Sequence, residues 1–149
     1  MNMIIVTMLV FSAVFDAKYM ILPDFSIVIL IIVEGLRLLV VGFDWSFVIS
    51  AMGASAFLGF LYLITKGKGM GLGDVKLALF MGLWLGWPKI LVAFYIAFIV
   101  GAVVGVVLMA KKKLKRKSLI AFGPFLILGT IIASFWGNEI VLMLDFFQP

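Results

Sequence analysis

Only carboxylates, hydroxyls and lysines are available for acid–base or nucleophilic work in this 149-residue chain, which has seven acidic residues and neither histidine nor cysteine. Thiolate nucleophiles, Cys/His zinc sites, His-based triads, haem ligation through histidine and disulfides are therefore excluded within the chain. Three of the acids, Asp16, Asp24 and Asp74, fall at joins between apolar segments. Two aspartates brought together in a low-dielectric recess do not both ionise, so one proton is shared between them. The ionised member then polarises a water while the protonated one supplies a proton to the leaving amide nitrogen. An ionisable group near membrane depth is costly enough to be a functional candidate. The bland reading is that these are solvated loop acids balancing nearby lysines, and position alone does not separate the two.

The elements that must position these carboxylates are membrane helices. Hydrophobic residues make up 66% of the chain and its mean hydropathy is +1.32, far above an ordinary soluble domain. Six apolar runs stand out: Met1–Phe15, Phe25–Val41, Ser46–Thr65, Val75–Trp87, Ile90–Ala110 and Leu119–Trp136. They are continuously apolar and lack period-two alternation, which predicts helices over a barrel. The expected fold is all-α, a polytopic bundle of about six transmembrane helices, with residues 1–149 forming a single transmembrane domain. The tail Asn138–Phe147 is too short to span alone, and either extends the last helix or lies in the interface. The start lacks a basic region and a small-residue cleavage site, which reads as a retained helix with the mature protein beginning near Met1.

Charge is distributed by join. Six of the twelve basic residues lie between Lys111 and Lys117, and Lys18, Lys66 and Lys68 fall in the first and third joins, with Lys76 close behind. Joins two and four offer only Asp44 and Lys89. The positive-inside rule puts joins one, three and five in the cytoplasm and both termini outside, in a plasma or inner membrane. The 111–117 run reads as an orientation signal drawn to anionic lipid, and not as a nucleic-acid footprint. Met1–Phe15 and Val75–Trp87 would rise only about 20 Å as helices, against a hydrocarbon core of about 30 Å. Asp16 would follow the end of the first and Asp74 precede the second, at comparable depth. With 58 positions between them, their meeting requires helices one and four to be neighbours.

Small residues recur at four-residue spacing in Gly82/Gly86, Ala97/Gly101/Gly105 and Ser55/Gly59, which predicts close helix packing. Lys66–Gly73, KGKGMGLG, is a glycine-rich loop without the GxxxxGK[ST] spacing of a phosphate cradle. Glu34 and Arg37, three positions apart on one helix face, are expected to pair with each other or with a bundle neighbour. No internal repeat or low-complexity segment is evident.

Gly71-Leu72-Gly73-Asp74-Val75-Lys76 resembles the GxGDxK signature of the type IV prepilin peptidases. Asp16 followed by Leu22-Pro23-Asp24 is similar to that family's first aspartate and its trailing apolar-Pro-Asp/Asn, and Phe122-Gly123-Pro124-Phe125 opens the last helix after a basic join. The resemblance implies an endopeptidase that removes the short basic leader of pilin-like precursors at the cytoplasmic membrane boundary. It makes Asp16 and Asp74 the catalytic pair, with no metal or cofactor called for. Gly71 and Gly73 match the family glycines, expected to let backbone approach the scissile peptide without a Cβ in the way. Asp24 and Lys76 match motif positions, as tuners of the pair or holders of the loop; alternatively Asp24 caps the second helix and Lys76 snorkels to the interface. Many members carry an additional Cys-x-x-Cys part and an N-methyltransferase activity. Methylation is not expected here, and the chain looks like a bare peptidase core, as in relatives serving tight-adherence pili or archaeal flagellins.

Two other classes compete with this reading. The signal-peptide-peptidase and presenilin type also uses GxGD, but with Tyr-Asp and Pro-Ala-Leu where this chain has Phe15-Asp16 and Phe-Gly-Pro-Phe. A non-catalytic scaffold or small transporter would use the carboxylates for protons or cations, and a transporter would show interrupted helices or midplane charges in both halves.

Overall fold

A computed structural model describes residues 2–42, 44–67, 70–111 and 121–145. Within these residues the chain forms six helices and no strand: α1 (Asn2–Tyr19), α2 (Asp24–Val41), α3 (Trp45–Thr65), α4 (Leu72–Leu85), α5 (Lys89–Ala110) and α6 (Gly123–Asp145). It is an all-α membrane bundle. Trp45–Thr65, Lys89–Ala110 and Gly123–Met143 are each long and apolar enough to cross a membrane. The exterior suits lipid, with Leu39, Val40 and Val41 on α2 and Ile49 and Leu63 on α3 all exposed. Lys68 and the stretch Lys112–Lys117 of the basic run lie outside the described residues.

The helix ends are written in local chemistry. Asp44 caps α3 by accepting a 2.8 Å hydrogen bond from the Ser46 amide, and that bond holds its carboxyl below the usual range. Gly86 ends α4 at φ +66°, a conformation that suits a residue without a Cβ. Pro23 and Pro88 stand immediately before α2 and α5, where a missing amide proton costs little.

Two boundaries beside the carboxylates differ from the expectation. α1 runs four residues past Phe15, so Asp16 lies inside its last turn and α1 is not unusually short. α4 begins at Leu72, so Asp74 sits in its first turn and the glycine-rich loop is shorter than it reads. At 14 residues α4 remains short, about 21 Å at 1.5 Å per residue. The described part of the tail, as far as Asp145, continues α6.

α4 is the hub. It packs most extensively on α3 and also on α2, α6 and α5, while α5 and α6 form the other large pair. Leu77, Ala78, Phe80 and Met81 are fully buried, so a helix that is apolar all round sits inside the bundle. Close approach is bought with glycine: a Cβ at Gly82 would overlap the Ala51 backbone, and one at Gly129 would overlap the Ala93 carbonyl. The requirement that α1 and α4 be neighbours is replaced by a different arrangement, because they share no extensive face; each packs on both α2 and α6.

Candidate active site

Two buried stripes lead to the carboxylates. On α1, Ile5, Leu9, Ser12 and Asp16 are all buried and follow at i, i+4, i+7 and i+11, one helical face. On α4, Asp74, Leu77, Ala78, Met81 and Leu85 form the equivalent stripe. The same periodicity that builds the core thus aims each aspartate inward at its end of the helix. Both line one cavity of about 470 Å³, together with Asp24, Gly71, Gly73 and Lys76. All six residues singled out in the sequence therefore meet at one place. The odd-numbered joins also meet there, through Met20 to Leu22, Gly67, Met70 and Gly71, and Ala121 with Phe122.

Asp74 is held by its own helix start. Its Oδ2 accepts from the Gly71 amide at 3.0 Å, and its amide donates back to the Gly71 carbonyl at 3.2 Å, a reciprocal cap. Asp16 is held from outside its helix. Its carboxylate lies against Gly123, the first residue of α6, where a Cβ would collide with Oδ2. That oxygen is buried without a hydrogen-bond partner among the described residues. It stands at the positive end of the α6 dipole, which favours a carboxylate. α1 is fixed to α2 beside the site by a buried 2.8 Å hydrogen bond between Ser12 and Ser26.

Asp24 does not cap α2; Pro23 holds that position without a side-chain bond. Instead Asp24 reaches Lys76 at 2.8 Å across the cavity rim, both side chains being largely exposed. Glu34 pairs with Arg37, whose Nε donates at 2.6 Å. Among the described residues no group of three or more acidic side chains lies close enough together to hold a metal ion between them.

In the sequence Gly123 and Leu22 stand out only as parts of motifs, and Ser12 and Ser26 carry no motif at all. Ser12, one turn above Asp16 on its face, was the available signal. The two signature glycines also differ. A Cβ at Gly73 would lie 2.9 Å from Leu22 Cβ, whereas one at Gly71 would find only ordinary contacts at 3.8 Å. Gly71 is extended at φ −86°, a conformation open to any residue.

The model of the type IV leader peptidase family matches residues 3–106, so this chain belongs to that family. The match includes Asp16, Asp24 and the Gly71–Lys76 signature and stops before Phe122–Phe125. The chain is similar to the prepilin leader peptidase/N-methyltransferase of Legionella pneumophila, 39% identical over 85 residues, 57% of this chain and 30% of that one. It is 32% identical over 96 residues to the protein of the same description from Stutzerimonas stutzeri, 64% of this chain and 33% of that one. The corresponding Aeromonas hydrophila protein is 37% identical over 97 residues, 62% and 33% of the two chains. The matched stretch thus spans about a third of the length of these relatives. No solved structure matches the chain.

Proposed function

We propose that this chain is a membrane aspartyl endopeptidase that removes the leader from pilin-like precursors, with Asp16 and Asp74 as its catalytic pair. The observation that carries this reading is that both aspartates, 58 positions apart in sequence, line one cavity with the other residues of the family signature. The pair works in the state that carries one proton. The ionised carboxylate takes a proton from a water as its oxygen attacks the scissile carbonyl carbon, forming the C–O bond. The protonated partner delivers its proton to the amide nitrogen as the C–N bond breaks, leaving a new carboxyl and a new amine. Asp24 and Lys76 brace the rim, while Gly71 fixes Asp74.

Lys18, Lys66, Lys76 and Lys111 near this end support an orientation with the cavity on the cytoplasmic side and both termini on the other, by the positive-inside rule. A basic leader gains no attraction from such a surface, so recognition rests on the depth at which the substrate helix sits in the bilayer.

The test is cleavage of a pilin-like precursor by purified protein in lipid, comparing wild type with Asp16→Asn and Asp74→Asn. Each variant should remain folded and lose about 10²–10⁴-fold in rate, the span of general acid–base catalysis. Undiminished cleavage in either variant would sink the aspartyl mechanism and favour a scaffold.

A further inference from the structure

Leu22 is buried, only 7% exposed, and it touches the backbone seats of both carboxylates. A Cβ at Gly73, the residue before Asp74, would fall 2.9 Å from Leu22 Cβ and 3.2 Å from Leu22 Cδ1. A Cβ at Gly123, against which Asp16 rests, would fall 3.2 Å from the same Cδ1. One side chain is therefore wedged between the start of α4 and the start of α6.

The wedge is itself anchored. Pro23 follows at φ −69°, and its carbonyl accepts from the Ser26 amide at 3.1 Å and from the Ser26 hydroxyl at 2.8 Å. Ser26 in turn bonds Ser12 on the Asp16-bearing face of α1. Since α1 and α4 share no extensive face, their relative placement at this end must pass through intermediaries. Leu22 is one such intermediary, meeting the start of α4 at Gly73 and, at Gly123, the residue against which Asp16 rests.

We infer that Leu22 is a positioning residue that sets the separation of Asp16 and Asp74, and that Gly73 lacks a side chain because Leu22 occupies its place. This rests on the aspartyl reading above and deepens it. It also reassigns the signature glycine: Gly73 accommodates a contact within the protein, in place of the approach of substrate. Apolar carbons settle at about 3.5–4.0 Å, so an alanine at position 73 must push Leu22 and the start of α4 apart by more than half an ångström. A misplacement of about 1 Å can cost 10²-fold in rate.

The experiment compares wild type, Gly73→Ala, Leu22→Ala and the double variant Leu22→Gly/Gly73→Ala in precursor cleavage, with Asp74→Asn as the blank. Gly73→Ala should lower kcat about tenfold or more with KM within about twofold, because the seat moves and the binding surface does not. The double variant, which relieves the clash but still lacks the bulk of Leu22, should rise to about the intermediate kcat of Leu22→Ala, a non-additivity expected only of residues in contact. Leu22→Ala removes volume without a clash and should lower kcat by itself; full kcat in folded Leu22→Ala overturns the proposal even where Gly73→Ala fails to fold. Absence of rescue in the double variant overturns it as well.

A second readout needs no activity. The chain has no cysteine, so Asp16→Cys with Asp74→Cys can be joined by a short bismaleimide. Gly73→Ala should slow that cross-link several-fold and Leu22→Gly should restore it; an unchanged rate overturns the proposal. Should wild type not cleave the precursor, or Asp74→Asn cleave it fully, the peptidase reading fails, while the cross-link still decides the positioning.

Discussion

Glu34 and Arg37 pair within one helix, with Glu34 fully buried, whereas Asp24 and Lys76 reach between α2 and α4 with both side chains largely in the open. Glycine follows the same division. Farther along the bundle, Gly82 lets α4 lie on the backbone of α3, while at the site Gly73 and Gly123 make room for a leucine and a carboxylate. The interior half keeps its charge pair within one helix and uses glycine to seat one helix on the backbone of another, and backbone cannot yield. The site end uses the same residue types against side chains, which can. Substitutions in the first region should therefore read out as stability and those in the second as rate.

The largest effect is expected from Arg37→Met. It strands the Glu34 carboxylate, whose Oε2 already lacks a partner among the described residues, and breaking a buried pair from one side costs about 3–5 kcal/mol. Glu34→Gln should cost much less, because Arg37 is partly exposed and can carry its charge outward. Unfolding titrations of the two variants in detergent measure the difference; equal losses would show that the pair does not protect a buried charge. Next comes Gly82→Ala, where the added Cβ meets the Ala51 and Ser50 backbone. Overpacking of this kind costs about 1–3 kcal/mol, and the same titration should show it with kcat of the folded fraction retained.

Gly123→Ala sharpens the contrast from the other side. Its Cβ would displace the Asp16 carboxylate, so cleavage should fall about 10²-fold, equivalent to about 2.7 kcal/mol on the barrier. Stability should change less than in Gly82→Ala. If Gly123→Ala instead unfolds the protein while keeping the rate of the folded fraction, the division between the two regions collapses.

Much of this was legible in the residues. Continuous apolar runs gave six helices, and the short spacing of Glu34 and Arg37 gave their pair. What escaped reading was long-range. A polar residue after an apolar run looks like a helix end, which put the boundary at Phe15; the helix continues because a cavity receives the Asp16 carboxylate. Four glycines in the seven positions from 67 to 73 look like a loop, yet Leu72 and Gly73 are helical because the Asp74 carboxylate caps the turn. The Leu22 contacts and the Asp24–Lys76 bridge, 52 positions apart, join residues that no periodicity relates.

The smallest effect should come from Lys76→Met, and it tests whether the rim belongs with the site or merely decorates it. Both partners are exposed by half or more, and pairs of that kind contribute about 0.2–1 kcal/mol, less as salt rises. The stability change should therefore stay below about 1 kcal/mol, and methionine keeps the apolar stem that covers the rim. A rate change of a few-fold that shrinks in high salt would mean that the bridge steadies α2 against α4 through charge. A loss as deep as that of Gly123→Ala would move Lys76 from the rim into the positioning of Asp74, two residues before it on the same turn, and the boundary between the yielding and unyielding regions would then have to be drawn further out.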